Sequence, residues 1–102
     1  ADDLKDRLTL GEEGFISVIA AISRQRATVV SGPDIHARGL AETEEVLATI
    51  VPDIEEALEA ALKKNSEATI HQLQQVIRRT IGNWVGRKLR RRPMIVPVVI
   101  EV

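Results

Sequence analysis

The chain has 102 residues, 44% of them hydrophobic and 28% charged, with a formal net charge of −1 and no cysteine. This length fits one globular domain with its own core. Without cysteine there is neither a disulfide framework nor a thiolate metal site. No apolar run approaches the roughly 18 residues of a membrane span, and the acidic start is unlike a signal peptide. We therefore expect a cytoplasmic protein that has no membrane partner.

The first residues differ from the rest of the chain. Residues 1–14 are mostly polar, lack a sustained apolar period and end in a glycine-containing turn, which predicts a linker-like segment. Residues 15–102 are predicted to form a single domain. The start without methionine favours a piece of a larger protein.

Two strands are predicted at the start of this domain. Residues 15–22 are short, apolar and β-branched, and residues 26–31 supply the return strand of a hairpin. Gly32 and Pro33 are expected to end that strand.

Two helices and a third strand are expected next. Apolar residues recur every four positions from Val46 to Leu62, with Pro52 inside the pattern, so this helix should be kinked or split. Asn65 or Ser66 is the expected N-cap of the second helix. Pro93 ends that helix, and the apolar residues 94–102 predict a strand.

The order β-β-α-α-β predicts an α+β fold, in which a three-stranded sheet is packed on one face by a helical hairpin. We expect the first strand at the centre, as the longest apolar strand segment. Pro97 favours an edge position for the third strand, which would then run parallel to the first.

Two helices can cover only one face of such a sheet. Alternation places Phe15 and Ile19 on the opposite face, and we assign Ile95 and Val99 to the same side. These four residues form a candidate interface with a second copy, another domain or the N-terminal segment.

A polar constellation follows the hairpin, and it consists of Ser31, Gly32, Pro33, Asp34, Arg38 and Gly39. One interpretation is a shaped loop between strand and helix, across which Asp34 and Arg38 pair. The other interpretation is a docking loop or a loop that faces RNA.

Residues 78–92 hold seven basic residues and no acid. On a helical wheel Arg79, Arg87 and Arg90 share a polar face. This face is either solvated or paired with acids, or it contacts RNA phosphate or an acidic partner. The near-zero net charge disfavours tight nucleic-acid binding by the chain alone.

Catalytic signals are sparse. His36 and His71 are the two histidines and lie 35 positions apart, at no metal-ligand spacing, and no serine stands in a G-x-S-x-G context. We expect no catalytic residue, no metal ligand and no cofactor in this chain.

Three segments resemble the C-terminal domain of ribonuclease J, a bacterial and archaeal nuclease family with the metallo-β-lactamase fold. The matching segments are Glu13-Gly14-Phe15-Ile16, Val30-Ser31-Gly32-Pro33-Asp34-Ile35 with Arg38-Gly39, and Arg91-Arg92-Pro93-Met94-Ile95-Val96-Pro97-Val98-Val99-Ile100-Glu101-Val102. They bracket nearly the whole chain, and the closing segment is the most specific.

The resemblance implies a non-catalytic domain of a zinc-dependent ribonuclease that acts in RNA processing and decay, as a 5′-to-3′ exonuclease and an endonuclease. In such an enzyme the domain would support dimerisation and full activity, as a homodimer or docked to its own catalytic domain, and RNA would be reached through the parent. Two alternatives remain: a stand-alone RNA-binding or adaptor domain, and a purely structural homodimerisation module.

Overall fold

The computed structural model describes residues 14–40, 44–90 and 92–102. Its elements in chain order are β1 (Phe15–Ser23), β2 (Thr28–Arg38), α1 (Glu44–Ala48), α2 (Val51–Lys64), α3 (Ile70–Lys88) and β3 (Met94–Glu101). This confirms the predicted α+β fold and its β-β-α-α-β order. Except for Gly14, the segment predicted to be linker-like lies outside the described residues.

The sheet has the order β2-β1-β3, with β1 antiparallel to β2 and parallel to β3. The central β1 and the parallel edge strand β3 are therefore confirmed. The N–H of Met94, at the start of β3, donates to the Gly14 carbonyl (3.0 Å), and that of Val102, directly after the strand, donates to the Ile22 carbonyl (2.9 Å). Successive residues of a strand point their nitrogens to opposite sides, so the nitrogen of the odd-numbered Pro97 faces away from β1, toward the free edge of the sheet. Its missing N–H therefore removes no hydrogen bond between β3 and β1.

The helices cover one face of the sheet and enclose the core with it. Alternate residues of β1, from Ile16 to Ile22, are fully buried. They meet buried leucines and isoleucines of the helices, which recur at helical spacing: Ile54, Leu58 and Leu62 from α2 and Leu73, Ile77 and Ile81 from α3. Each such side chain contributes roughly 1.5–3 kcal/mol when it leaves water.

Pro52 divides the first predicted helix, as expected. α1 closes in a turn in which the Ile50 N–H donates to the Leu47 carbonyl (3.0 Å), and α2 starts at Val51. Pro52 then lies in the first turn of α2, where no intrahelical bond requires its missing N–H. Leu47 and Ile50 are both buried, so the bend keeps the apolar stripe on the core.

The predicted N-cap of the second long helix is wrong. The cap is Thr69, whose hydroxyl accepts from the Gln72 N–H (3.0 Å), while the Gln72 side chain accepts from the Thr69 N–H (2.8 Å). This reciprocal capping box satisfies two N–H groups at once. Asn65 is instead the C-cap of α2.

The predicted end of β2 at Gly32 and Pro33 is also wrong, because the strand continues to Arg38. The register shifts between Ile19 and Ala21, so that Gly32 and Pro33 together stand opposite Ala20 as a bulge. Gly32 has φ +79°, and a Cβ there would lie 2.6 Å from the Ile19 carbonyl oxygen. The Gly32–Pro33 peptide bond is cis. The bulge accommodates Gly32 and Pro33 without ending the strand, and pairing with β1 resumes at Asp34.

Candidate interaction surface

The face of the sheet opposite the helices, which we call the open face, carries a group of exposed apolar side chains. Phe15 and Ile19 of β1 and Met94, Val98 and Ile100 of β3 are each between 36% and 48% exposed. The β1–β3 register aligns Phe15 with Met94 and Ile19 with Val98, so these residues project on the same side. The open face is therefore apolar along its parallel strand pair.

The assignment of Ile95 and Val99 to this face is wrong. They pair with Ile16 and Ala20, whose side chains are fully buried, and so point toward the helices. Val99 is only 8% exposed and belongs to the core, against which Ile95 packs. Since β3 is apolar at every position from 94 to 100, its sequence has no alternation that distinguishes the two faces.

The residues that sequence reasoning missed on β3 are thus the even-numbered ones, Met94, Val96, Val98 and Ile100. Their placement follows from the pairing of Met94 with Phe15. No local signal in this strand could have shown it.

β2 contributes a polar flank to the open face. Arg38, His36 and Asp34 pair with Phe15, Ser17 and Ile19, so they point the same way as these residues, and all three are exposed. Ser31 pairs with Ala21 beyond the bulge, and Gly39 follows the strand with φ +74°.

The predicted pairing of Asp34 with Arg38 across a loop is wrong. Both residues lie on one strand, four positions and so about 13 Å apart. No ion pair or hydrogen bond within the described residues joins them. They stand as an anion and a cation at opposite ends of the polar flank.

Helix side chains hydrogen-bond to both outer strands of the sheet. The Val29 N–H of β2 donates to Glu59 Oε2 of α2 (3.0 Å), and Gln74 Nε2 of α3 donates to the Pro97 carbonyl of β3 (3.4 Å). Together with the bulge in β2 and the proline in β3, these contacts disfavour pairing of a further strand.

The three arginines do not share one helical face. Arg79 and Arg87 are exposed on α3, about 12 Å apart along its axis. Arg90 lies beyond the end of the helix with φ 54°, and its N–H donates to the Val85 carbonyl (3.0 Å). A residue in the left-handed conformation at this point ends a helix, so Arg90 is not part of α3 and does not share a helical face with Arg79 and Arg87.

The two histidines lie on different elements. His36 is on β2, whereas His71 is in the first turn of α3, with its Nε2 3.4 Å from Gln75 Nε2. Among residues 14–40, 44–90 and 92–102, no three histidine, aspartate or glutamate side chains are grouped to hold a metal ion.

The described part of the chain also contains no helix long and apolar enough to cross a bilayer.

A three-stranded mixed sheet with helices on one side and exposed apolar side chains on the other defines a small α+β domain. Residues 3–102 match the ribonuclease J C-terminal domain, and the chain belongs to that family. The resemblance drawn from the three sequence segments is thereby confirmed.

Curated relatives show the same relation. The chain is 39% identical over 107 residues to ribonuclease J of Mycobacterium tuberculosis, which covers 100% of the chain and 19% of the relative. It is 30% identical over 101 residues to ribonuclease J2 of Bacillus subtilis, covering 97% of the chain and 18% of the relative. For ribonuclease J of Corynebacterium glutamicum the identity is 31% over 102 residues, with 100% and 14% covered. The chain thus spans less than a fifth of the length of these relatives.

Proposed function

We propose that this chain is the non-catalytic C-terminal domain of a zinc-dependent ribonuclease that acts in RNA processing and decay. Its role there is to bind a second copy of itself through the open face and so to support dimerisation and full activity of the parent enzyme. Family membership supports the parent's class. The observation that carries the domain's own role is the apolar half of the open face.

This surface is costly to leave in water. Burying apolar area stabilises by roughly 25 cal/mol per Å², and the open face presents five large apolar side chains side by side. A contiguous patch of this kind marks an interaction site. A second copy brings an identical patch, so one two-fold contact buries both.

Two neighbouring valines of β3 test the role of the open face. Val98→Lys should abolish self-association and leave the chain folded, because Val98 points away from the helices. Val99→Lys should unfold the chain, because the same lysine would enter the core. Sedimentation equilibrium measures the association, and circular dichroism measures the fold.

Ala60→Lys, at an exposed position of α2, controls for the added charge and should behave as the wild type. A wild-type chain that stays monomeric at high concentration contradicts the proposal. So does a folded Val98→Lys chain that associates as tightly as the wild type.

A further inference from the structure

We propose that two open faces pack on each other around a two-fold axis that crosses the strands at the level of Ser17, so that Asp34 of each copy pairs with Arg38 of the other. This geometry rests on the proposed self-association. It follows from how charges and apolar side chains are arranged in rows across the face.

The strand register aligns side chains of β2, β1 and β3, in that order, into two outer rows: Arg38, Phe15 and Met94 in one, and Asp34, Ile19 and Val98 in the other. Each row has one charge on β2 and two apolar side chains on β1 and β3. The charges have opposite signs. Ser17 lies midway between the rows on β1.

Consider a two-fold axis that lies in the plane of the interface, perpendicular to the strands. Rotation about it places each strand over the same strand of the partner, and it places each outer row over the other outer row of the partner. Phe15 then meets the partner's Ile19, and Met94 meets the partner's Val98. Arg38 meets the partner's Asp34, and the symmetric pair forms as well. The apolar side chains fill the centre of the interface and the two ion pairs lie at its polar flank, as in stable protein interfaces.

Other two-fold arrangements of the same faces are less favourable. An axis parallel to the strands places β2 on the partner's β3, which buries Asp34 and Arg38 against apolar side chains without a counter-charge. An axis along either diagonal of the face places the β2 residue at one end of that diagonal over the same residue of the partner. Arg38 then meets the partner's Arg38, or Asp34 meets the partner's Asp34, and like charges oppose association. Of these axes, the axis across the strands alone sets Asp34 against Arg38 and apolar side chains against apolar side chains. It also places His36, at the level of Ser17, over the partner's His36.

The spacing within one chain supports this arrangement. Asp34 and Arg38 lie about 13 Å apart on one strand and do not pair with each other. Their pairing with Ile19 and Phe15 points both charges toward the open face, at the same distance from the level of Ser17 but on opposite sides. Two-fold symmetry about that level makes the pair of charges self-complementary.

Charge reversal tests the geometry. Asp34→Arg alone places a cation opposite the partner's Arg38, and Arg38→Asp alone places an anion opposite the partner's Asp34. Each should raise the dimer dissociation constant about tenfold or more. The double variant, Asp34→Arg with Arg38→Asp, should bring the constant back near the wild-type value, because the reversed charges again meet across the axis.

A mixture of the two single variants should form heterodimers in preference to either homodimer, since every contact in the heterodimer joins opposite charges. Sedimentation velocity gives the dissociation constants, and native mass spectrometry separates the heterodimer by mass. Glu56→Arg and Lys63→Asp make the same charge changes at exposed positions of α2, outside the open face, and should leave association unchanged.

The outcomes separate this geometry from self-association itself. If the wild type dimerises and Val98→Lys dissociates it, but the double variant stays as weak as the single ones, the open face is the interface and the proposed axis is wrong. A wild-type chain that does not associate overturns both proposals. If a reversal variant unfolds, Asp34→Asn and Arg38→Gln replace it, and each must weaken the dimer and reduce its salt dependence, or the geometry fails.

Discussion

Gly32 is the residue on which the course of β2 depends. Its φ of +79° lies in the left-handed region, and a Cβ there would lie 2.6 Å from the Ile19 carbonyl oxygen and 2.9 Å from the Asp34 nitrogen. Both contacts are with backbone, which cannot rotate away as a side chain would. Glycine therefore allows the bulge that keeps Asp34 in register with Ile19.

We expect Gly32→Ala to lower the free energy of unfolding by about 2–3 kcal/mol, since it combines an unfavourable φ with a clash against backbone. Gly86→Ala is the matched control. Gly86 is exposed within α3, and no atom lies within 4 Å of its added Cβ. That change should stabilise by up to about 1 kcal/mol. Urea unfolding measures both, and a Gly32→Ala chain as stable as the wild type contradicts the role assigned to Gly32 in the bulge.

At the scale of the elements, the Arg24 side chain joins three parts of the fold. Arg24, in the turn between β1 and β2, forms an ion pair with Glu101 at the end of β3 and donates from Nη1 to the Ser66 carbonyl between α2 and α3 (3.0 Å). The side chains of the pair are 27% and 48% exposed, so its electrostatic contribution is small. Its main effect is positional, because it holds the end of the parallel edge strand beside the helix connection.

The start of α3 gives a sharper prediction. Thr69→Ala removes the hydroxyl that accepts the Gln72 N–H and should lower the free energy of unfolding by about 1 kcal/mol. Ser66→Ala, at one of the positions that local sequence favours as the cap, should have almost no effect because the hydrogen bond from Arg24 goes to its backbone carbonyl. Thermal unfolding decides between them, and the opposite ranking would place the cap at Ser66.

At the scale of the whole molecule, the charge is divided between the helices. Residues 42–67 hold eight acids and two lysines, whereas residues 78–92 hold seven basic residues and no acid. α2 and α3 pack as neighbours. The basic run extends from Arg78 in the middle of α3 to just beyond the end of that helix. Arg79, Arg87 and Arg90 are all exposed there. They remain candidates for contact with RNA.

If these arginines contact RNA phosphates, replacing all three by glutamate in the full-length parent should weaken its RNA binding, more at low salt than at high salt. Each lost contact should flatten the salt slope by roughly 0.7 for a single strand. The control changes the same charge elsewhere, with Arg26, Lys63 and Lys64 replaced by glutamate. Fluorescence anisotropy with labelled RNA measures the affinity, and equal effects of the two triple variants would assign the arginines to a solvated surface.

Local signals in the sequence determined the fold class, the order of the elements, the central β1, the parallel edge strand β3 and the division of the first helix. Each follows from short-range physics: β1 is a short apolar β-branched segment, the apolar residues of the helices recur about every four positions, and proline removes a backbone donor wherever it stands. The closing segment likewise identified the family. Phe15 and Ile19 lie on the open face as predicted, because the helices cover only one face of β1 and the side of Phe15 and Ile19 also carries the polar Ser17.

Only the tertiary structure decided which side of β3 faces solvent. An all-apolar strand can present either parity, and the pairing of Met94 with Phe15 selects one of them. Tertiary pairing also carried β2 through Gly32 and Pro33, where local propensity predicts an end, because β1 offers hydrogen bonds on both sides of the bulge. The same extension separated Asp34 from Arg38 along one face of a strand. Register is a relation between distant segments, so no window of local sequence contains it.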